Sequence, residues 1–289
     1  MLAATACFAG MDAVLKVFSA RYPPLEVGAL RGFASLPFVL ASVAVTGKWR
    51  ELRVVRWDLH LGRGILALIM LWGFVTAVSR MSLADAYAIF FIAPLIVTAL
   101  AVPLLKERVD LRQWLAIGVG LSGVLWMLQP GRSALDLLGA LGALGAAVAY
   151  ALASVSVRVM TRTETTPALV FWFLVLLTVF AGALALPDWV PFDPADWPWL
   201  GLLGLFGALG QHFITEAFRQ APASLVAPFE YTAMVWAVGI DWVFWNTWPA
   251  SRIWFGAGLV VACGLYLIWR ERQRHLAVAA AAVAETPVP

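Results

Sequence analysis

An acid and a base stand one helical turn apart in a segment that is otherwise apolar. Asp12 and Lys16 lie within the run ATACFAGMDAVLKVF, and a spacing of four residues places both side chains on one face of a helix. Pairing with Lys16 lowers the cost of keeping Asp12 ionised in apolar surroundings. The alternative is that Asp12 faces a cavity and binds an ammonium group, and both interpretations are open.

Two more ionisable groups occur in apolar runs, Glu230 in APFEYTAMVWAVG and His212 in GALGQHFITEAF. Glu230 has no basic residue within one helical turn on its own segment. It must therefore face water, find a partner on another element or take up a proton. His212 lies one turn before Glu216 and next to Gln211, and a packing role and a cavity role are both open for it.

Aromatic side chains lie well inside the apolar runs beside these groups. Rings with polar tips suit a site for small organic molecules of mixed polarity, whereas the alternative for each ring is packing or contact with lipid. The candidate binding residues are Asp12, His212 and Glu230 with the rings of Trp72, Tyr87, Phe90, Phe91, Tyr150, Tyr231 and Trp236.

The sequence lacks the motifs of the common enzyme classes. It has no phosphate-binding loop, no HExxH and no two-cysteine redox motif. Its two cysteines, Cys7 and Cys263, have no metal-ligand spacing and no disulfide framework around them. A net charge of +3 is too small to indicate a nucleic-acid partner. We therefore expect neither catalysis nor a cofactor or metal.

The composition indicates that these residues lie in a lipid bilayer. The chain of 289 residues is 62% hydrophobic and only 13% charged, with a mean hydropathy of +0.86. Charged residues are about half as frequent as in soluble domains, and the apolar runs are long, continuous and recurrent. The sequence predicts an all-α integral membrane protein, because continuous apolar runs favour helices over the alternating pattern of a barrel.

Ten apolar runs are long enough, or nearly long enough, to cross a bilayer, for which roughly 20 residues are needed. Short connections rich in proline, glycine and charge separate them. The predicted spans are 2–19, 25–46, 60–80, 84–105, 111–128, 136–159, 167–187, 197–218, 223–246 and 251–270.

The basic residues at the ends of these spans predict the orientation. Cytoplasmic ends carry an excess of lysine and arginine. One set of ends carries Lys48, Arg50, Arg53, Arg56, Lys106, Arg108, Arg112, Arg158, Arg162, Arg219, Arg270, Arg272 and Arg274. The other set carries Arg21, Arg80, Arg132 and Arg252. The larger set is therefore predicted to be cytoplasmic, and both termini with it.

The two halves of the chain resemble each other at a shift of about 140 residues. Arg80 falls on Arg219 and Trp114 on Trp254, with Lys16 on Arg158 further upstream. Each half holds five predicted spans, an odd number, so the second half enters the membrane inverted. We expect a first repeat at 1–130, an inverted repeat at 131–272 and a flexible tail at 273–289. Inverted repeats suit alternating access.

Particular stretches resemble the drug/metabolite transporter superfamily, especially its ten-helix EamA-type members. They are Arg31 in EVGALRGFASLPF, the run PLIVTALAVPLLKERVDLRQWLAIGVGLSGVLW with Glu107 at a loop that usually reads GE, and NTWPASRIWFGAGLVVACGLYLI. The resemblance covers nearly the whole chain. Two departures, KE in place of GE and Asn246 where the second repeat often has glutamate, leave the role of the loop acid open.

The resemblance implies a secondary transporter of the bacterial-type inner membrane that exports amino acids with broad specificity. The alternative is transport of another small metabolite, such as a vitamin, a nucleoside derivative or a drug. A membrane protein that does not transport is a third and more distant possibility. The expected partners are a small-molecule substrate, an amino acid in the leading interpretation, and the lipid bilayer, with no nucleic acid; whether the chain forms a homodimer is left open.

Overall fold

The computed structural model describes residues 1–19, 21–80, 89–107, 109–128 and 136–245, and a part of 255–273. All regular elements in these ranges are helical. The long helices are α1 Leu2–Phe18, α2 Pro24–Thr46, α3 Trp57–Arg80, α4 Ala93–Leu105, α5 Leu111–Leu128, α6 Leu137–Met160, α7 Thr166–Ala185 and α8 Trp197–Gln220. Short 3-10 helices occur at Trp49–Leu52, Leu186–Asp188 and Pro194–Asp196.

Four segments of the described chain are both long enough and apolar enough to cross a membrane. They are Pro24–Thr46, Trp57–Ala77, Leu137–Met160 and Thr166–Asp188. Many of their large apolar side chains are exposed, including Ile65, Ile69 and Val179. A surface of this kind is stable in lipid, where apolar side chains need no cover.

The predicted ninth span, 223–246, is interrupted. It consists of a short helix α9, Ala223–Val226, a 3-10 helix, Ala227–Tyr231, and helix α10, Thr232–Trp245. Pro228 lies in the 3-10 helix, and because it has no backbone N–H it cannot continue the α-helical ladder. The break places Glu230 and Tyr231 in the 3-10 helix.

Glu107 holds the beginning of this interrupted segment. Its carboxylate accepts hydrogen bonds from the backbone N–H of Ala223 at 2.8 Å and of Ser224 at 3.0 Å, and from the Ser224 hydroxyl at 2.6 Å. These N–H groups have no partner inside a helix, and a carboxylate is a favourable acceptor for them. The loop acid whose role the sequence left open is thus a helix cap, 116 residues away along the chain.

The long helices pack mainly against helices from the other half of the chain. α3 packs on α6, α2 on α7, and both α1 and α2 on α8. The approach is closest at Gly204 of α8, where an added Cβ would overlap the Ala34 carbonyl of α2. It is also close between α3 and α6, where a Cβ on Gly73 would lie 2.6 Å from the Gly142 carbonyl oxygen and one on Gly142 would lie 2.7 Å from that of Gly73. Small residues are what allow helices to come so close in a membrane.

Polar contacts join the loops at one end of the bundle, here called the acidic end, which comprises 21–23 and 186–196. The Arg21 guanidinium donates to both carboxylate oxygens of Asp196, at 2.8 and 3.0 Å. The Tyr22 hydroxyl donates to Asp196 at 2.9 Å and accepts from the backbone N–H of Asp193 at 3.0 Å. The ring of Tyr22 stacks on Phe192, 5.6 Å between centroids. These contacts tie the first half to the second.

The opposite end, here called the basic end, comprises the loops 47–56, 106–110, 161–165 and 219–222. Glu164 accepts from the backbone N–H of Arg56 at 2.8 Å and pairs with His60 at 2.5 Å. The Arg219 guanidinium donates to the carbonyl oxygen of Glu164 at 2.6 Å. Loops that the charge pattern assigned to one side thus meet at one end. Which end is cytoplasmic stays a prediction.

Candidate functional site

A cavity of about 260 Å³ lies between the two halves of the bundle. Its walls come from α1, α2 and α3, from Phe90 just before α4, and from α6, α7 and α8. The lining residues are Phe8, Met11, Asp12, Arg31, Arg63, Ala67, Met70, Phe90, Tyr150, Ala153, Ser154, Val157, Phe173, Gln211, Ile214 and Phe218.

Opposite charges face each other in this cavity. Asp12 lies within α1 and presents its exposed side chain to the cavity. Its charge interacts with that of Arg31 on α2. The Arg31 Nε is buried and has no hydrogen-bond partner among the described residues, and its guanidinium lies 5.7 Å from the centre of the Phe8 ring. The pair therefore offers an acceptor and a free donor to a polar ligand.

A second arginine, Arg63, enters the same cavity from α3. It is 4% exposed, and its guanidinium donates to the carbonyl oxygen of Leu169 at 3.1 Å. The guanidinium also lies over the ring of Phe173, 4.4 Å from its centre. An arginine held over a ring and bonded on one side keeps its other N–H groups available for an anion. With two arginines and one aspartate, these three residues give the cavity an excess of positive charge.

Aromatic rings form the wall next to these charges. Phe90 packs edge-on against Phe74 and at a tilt against Tyr150, with centroid distances of 5.7 Å in each case. The Tyr150 hydroxyl faces Ser154 and the carboxyl of Glu230. Flat rings beside charged groups form a site suited to a compact ligand with one polar and one apolar end.

Glu230 lies behind Tyr150 rather than in the wall itself. It is 9% exposed, and its Oε1 is buried with no hydrogen-bond partner in the described part of the chain. Its neighbour Tyr231 turns the other way and is 1% exposed, packed on Phe91 and Ile117. Phe91 and Tyr231 are thus part of a buried cluster beside the cavity, with 6.1 Å between their ring centroids.

Comparison with known proteins identifies the family of this chain. The profile of the EamA-like transporter family matches residues 1–129 and 137–270. The chain belongs to the EamA-like transporter family. It is a small-molecule transporter of the drug/metabolite transporter superfamily.

Relatives with assigned substrates cover nearly the same length. The riboflavin transporter of Vibrio cholerae is 28% identical over 287 residues, which are 96% of each chain. The pseudopaline exporter of Pseudomonas aeruginosa is 30% identical over 259 residues, 89% of this chain and 90% of its own. Neither is named an amino-acid exporter, so these relatives do not support the amino-acid specificity that the sequence resemblance implied.

A solved structure shares the fold. It superposes with a TM-score of 0.81 over 94% of this chain and 96% of its own, at 18% sequence identity. Identity at that level carries the architecture and no statement about substrate. The EamA family therefore rests on the sequence match, and the arrangement of the helices around the cavity is shared with this structure.

Of the residues predicted for the site, Asp12, Phe90 and Tyr150 line the cavity, and Glu230 adjoins it. Three others are exposed and are not among its lining residues: Trp72 on α3, Trp236 on α10, and His212 on α8 next to the cavity residue Gln211. Tyr87 lies outside the described residues. Substrate contact by any of these residues stays a prediction.

The sequence analysis did not place Arg31, Arg63, Ser154, Gln211 or Phe8 in the site. A signal for the two arginines was present, because each stands inside a predicted span, where an ionisable residue is a functional candidate by default. Arg31 was noted only for its resemblance to the family. The expected partner of Asp12 on its own helix is Lys16, whose side chain lies outside the described residues, and the structure adds Arg31 on α2 as a second basic residue in the same cavity.

Proposed function

We propose that this chain is a secondary transporter of the bacterial inner membrane that moves a small organic metabolite with an anionic or carbonyl-rich polar end. The metabolite binds in the cavity between the halves, which open alternately toward each side. The observation that carries the proposal is a cavity between the two halves of the chain, in which Arg31, Arg63 and Asp12 lie beside aromatic walls. Ten spans in two inverted repeats, with both termini cytoplasmic, belong to the same proposal.

The chemistry of the cavity restricts the substrate. A charged group without partners costs several kcal/mol on leaving water, and the free N–H groups of Arg31 and Arg63 would bind a carboxylate or a ring carbonyl. Asp12 would accept from an ammonium group, and hydrogen bonds between two charged groups are the stronger ones. A volume of about 260 Å³ is slightly below the range of roughly 300–1,000 Å³ for drug-sized ligands. We infer a compact metabolite that is bound by a few polar contacts at one end and by the aromatic side chains of the cavity wall at the other.

Two substrate candidates meet these conditions. Export of amino acids, the function implied by the sequence resemblance, uses the opposite charges of Arg31 and Asp12 for the carboxylate and the ammonium. Transport of a ring-bearing vitamin is favoured by the phenylalanine wall around Phe8, Phe90 and Phe173, and by the likeness to a riboflavin transporter. The candidates differ in what they need from Asp12, because only the amino acid presents an ammonium.

The experiment is counterflow in liposomes that contain the purified protein, with labelled amino acids, riboflavin and a dicarboxylate as separate probes. Arg31→Gln should lower exchange of the accepted probe roughly tenfold or more, since a charged hydrogen bond is worth about 1.5–3 kcal/mol. Asp12→Asn should lower exchange of amino acids and leave riboflavin within about twofold, a difference below 0.5 kcal/mol.

The matched control is Arg162→Gln, which removes an exposed arginine at the basic end and should leave exchange unchanged. If the inserted wild-type protein exchanged none of the probes, the substrate assignment would be wrong. If Arg31→Gln exchanged as fast as wild type, the cavity would not be the transport path.

A further inference from the structure

The carboxyl of Glu230 lies in the middle of the bundle with no use in the binding cavity described above. It belongs to the 3-10 helix Ala227–Tyr231, at the break in the ninth span. Its side chain is almost wholly buried, and Oε1 has no hydrogen-bond partner among the described residues. An ionised carboxylate in that position would pay for desolvation without a matching donor on that oxygen.

The surroundings of Glu230 supply hydroxyl groups rather than a cation. From α6 it is faced by Tyr150, and its neighbour in the chain is Tyr231. Arg63 on α3 interacts with Tyr150, and Cys263 interacts with Tyr231. Both therefore interact with the neighbours of Glu230 and not with Glu230 itself. From α1, Thr5 bonds to Thr232 at 3.0 Å. Within the described chain, no lysine or arginine forms an ion pair with Glu230.

Tyr150 connects this carboxyl to the cavity. Its ring lines the cavity, and its hydroxyl faces both Ser154, another lining residue, and Glu230. A tyrosine hydroxyl can donate to an ionised carboxylate or accept from a protonated one. The two states of Glu230 therefore require two orientations of the Tyr150 hydroxyl, and one of them points its proton toward Ser154 and the ligand.

We propose that Glu230 is a proton-binding site whose occupancy is read by the substrate cavity through Tyr150. The proton binds to and leaves the carboxyl as the two halves open to each side, and the substrate binds with different affinity in the two states. This makes the transporter proton-coupled. The inference rests on the proposed transport function, because it assigns the driving ion of that same site.

The test uses wild-type protein in liposomes with trapped pyranine, which reports internal pH, and a probe mixture of labelled amino acids and riboflavin. A gradient of one pH unit should change accumulation of the transported probe up to roughly tenfold, the ratio of proton concentrations. The probe should also move protons in an unbuffered vesicle. The sign of the gradient that helps distinguishes symport from antiport, and either sign supports the proposal.

Glu230→Gln keeps the shape of the side chain and removes the titration. It should abolish both the response to the pH gradient and the pyranine signal, while counterflow at equal pH stays within about threefold of wild type. Tyr150→Phe should weaken the pH response at least threefold. This variant replaces Glu230→Gln as the test if Glu230→Gln does not insert into the membrane. The matched control is Glu26→Gln, because Glu26 is a second buried carboxyl with an Oε1 that has no hydrogen-bond partner among the described residues. Its carboxylate accepts from the backbone N–H of Val190 at 2.9 Å, next to the acidic end. Glu26→Gln should keep the pH response.

Failure of this inference differs from failure of the proposed function. Absence of counterflow of every probe by wild-type protein would contradict the proposed substrate assignment, on which this inference rests. Counterflow without any pH response in the wild type would show that Glu230 binds no coupling proton. A full pH response in Glu230→Gln, or in Tyr150→Phe where that variant is the one that inserts, would overturn the proposal.

Discussion

Phe90 and Phe91 are identical neighbours that lie on opposite sides of one wall. Phe90 is half-buried and lines the cavity against Tyr150, whereas Phe91 is buried against Tyr231 and Ile117. The same division separates the neighbours Glu230 and Tyr231. We call Phe90 and Tyr150 the cavity face, with Glu230 behind it, and Phe91, Ile117 and Tyr231 the core face.

The comparison shows that a helical chain gives neighbours different tasks by direction alone. Successive residues point about 100° apart in an α-helix and about 120° apart in a 3-10 helix. Two neighbours in the sequence can therefore face different sides of the wall. The cavity face has free polar atoms and space for a ligand. On the core face, a Cβ added at Gly120 would lie 3.0 Å from the Tyr231 ring, so there is no space left. We therefore expect substitutions on the cavity face to change transport and those on the core face to change stability.

The largest expected effect is on stability, from Phe91→Ala. Removing a buried ring costs about 3 kcal/mol or more in free energy of unfolding, since a void remains in a packed cluster. Thermal unfolding in detergent should show a clearly lower midpoint. The matched variant Phe90→Ala should lose much less stability and should instead change the ranking of probes in counterflow. Equal losses of stability in both variants, with equal rankings, would contradict the division into two faces.

A smaller effect is expected from Glu107→Gln, because this residue holds the segment that carries both Glu230 and Tyr231. The glutamine retains one acceptor oxygen for three donors on Ala223 and Ser224, and the loss should be about 1–2 kcal/mol. Stability and flux should therefore fall together. Glu51→Gln is the control, since its partner Lys48 lies 3.1 Å away in a partly exposed pair that contributes little. Unaltered stability and flux in Glu107→Gln would show that the cap is unimportant.

The smallest effect is expected from Tyr231→Phe. The Tyr231 hydroxyl is buried, with no hydrogen-bond partner in the described part of the chain, so its removal should change the free energy of unfolding by less than about 1 kcal/mol and in the stabilising direction. Unfolding midpoints and counterflow of Tyr231→Phe and wild type provide the measurement. A loss as large as that of Phe91→Ala would show that this hydroxyl has a partner that matters.

The helices of this protein could be predicted well from its sequence. The predicted bounds of α1 to α3 and of α5 to α8 agree with the structure to within three residues, because each apolar run must match the thickness of the bilayer. The loops 47–56, 161–165 and 219–222, which the charge pattern assigned to one side, meet at one end, since charges are excluded from the apolar layer. The 3-10 helix Ala227–Tyr231 coincides with Pro228, a residue that breaks the α-helical ladder, but its exact extent is visible only in the structure.

The site was predicted in part, and the missing part depends on direction and on distant partners. The types of residue in apolar runs were sufficient to select Asp12, Tyr150 and Glu230. Ionisable and polar groups are costly inside a membrane, so they are candidates for a functional role. They were insufficient to distinguish Phe90 from Phe91 or Gln211 from His212, since neighbours in a sequence carry no label for the face they occupy. Arg31 and Arg63 were visible as charges without a known partner.

The sequence by itself therefore determined the membrane-spanning character of the chain, the ends of its helices and the family to which it belongs. These properties depend on local hydropathy and on short motifs. Only the tertiary structure decided that Asp12 meets Arg31, that Glu107 caps a helix 116 residues away, and that Tyr150 stands between Glu230 and the cavity. Those pairings depend on how the two halves of the chain pack against each other, and no local pattern encodes that contact.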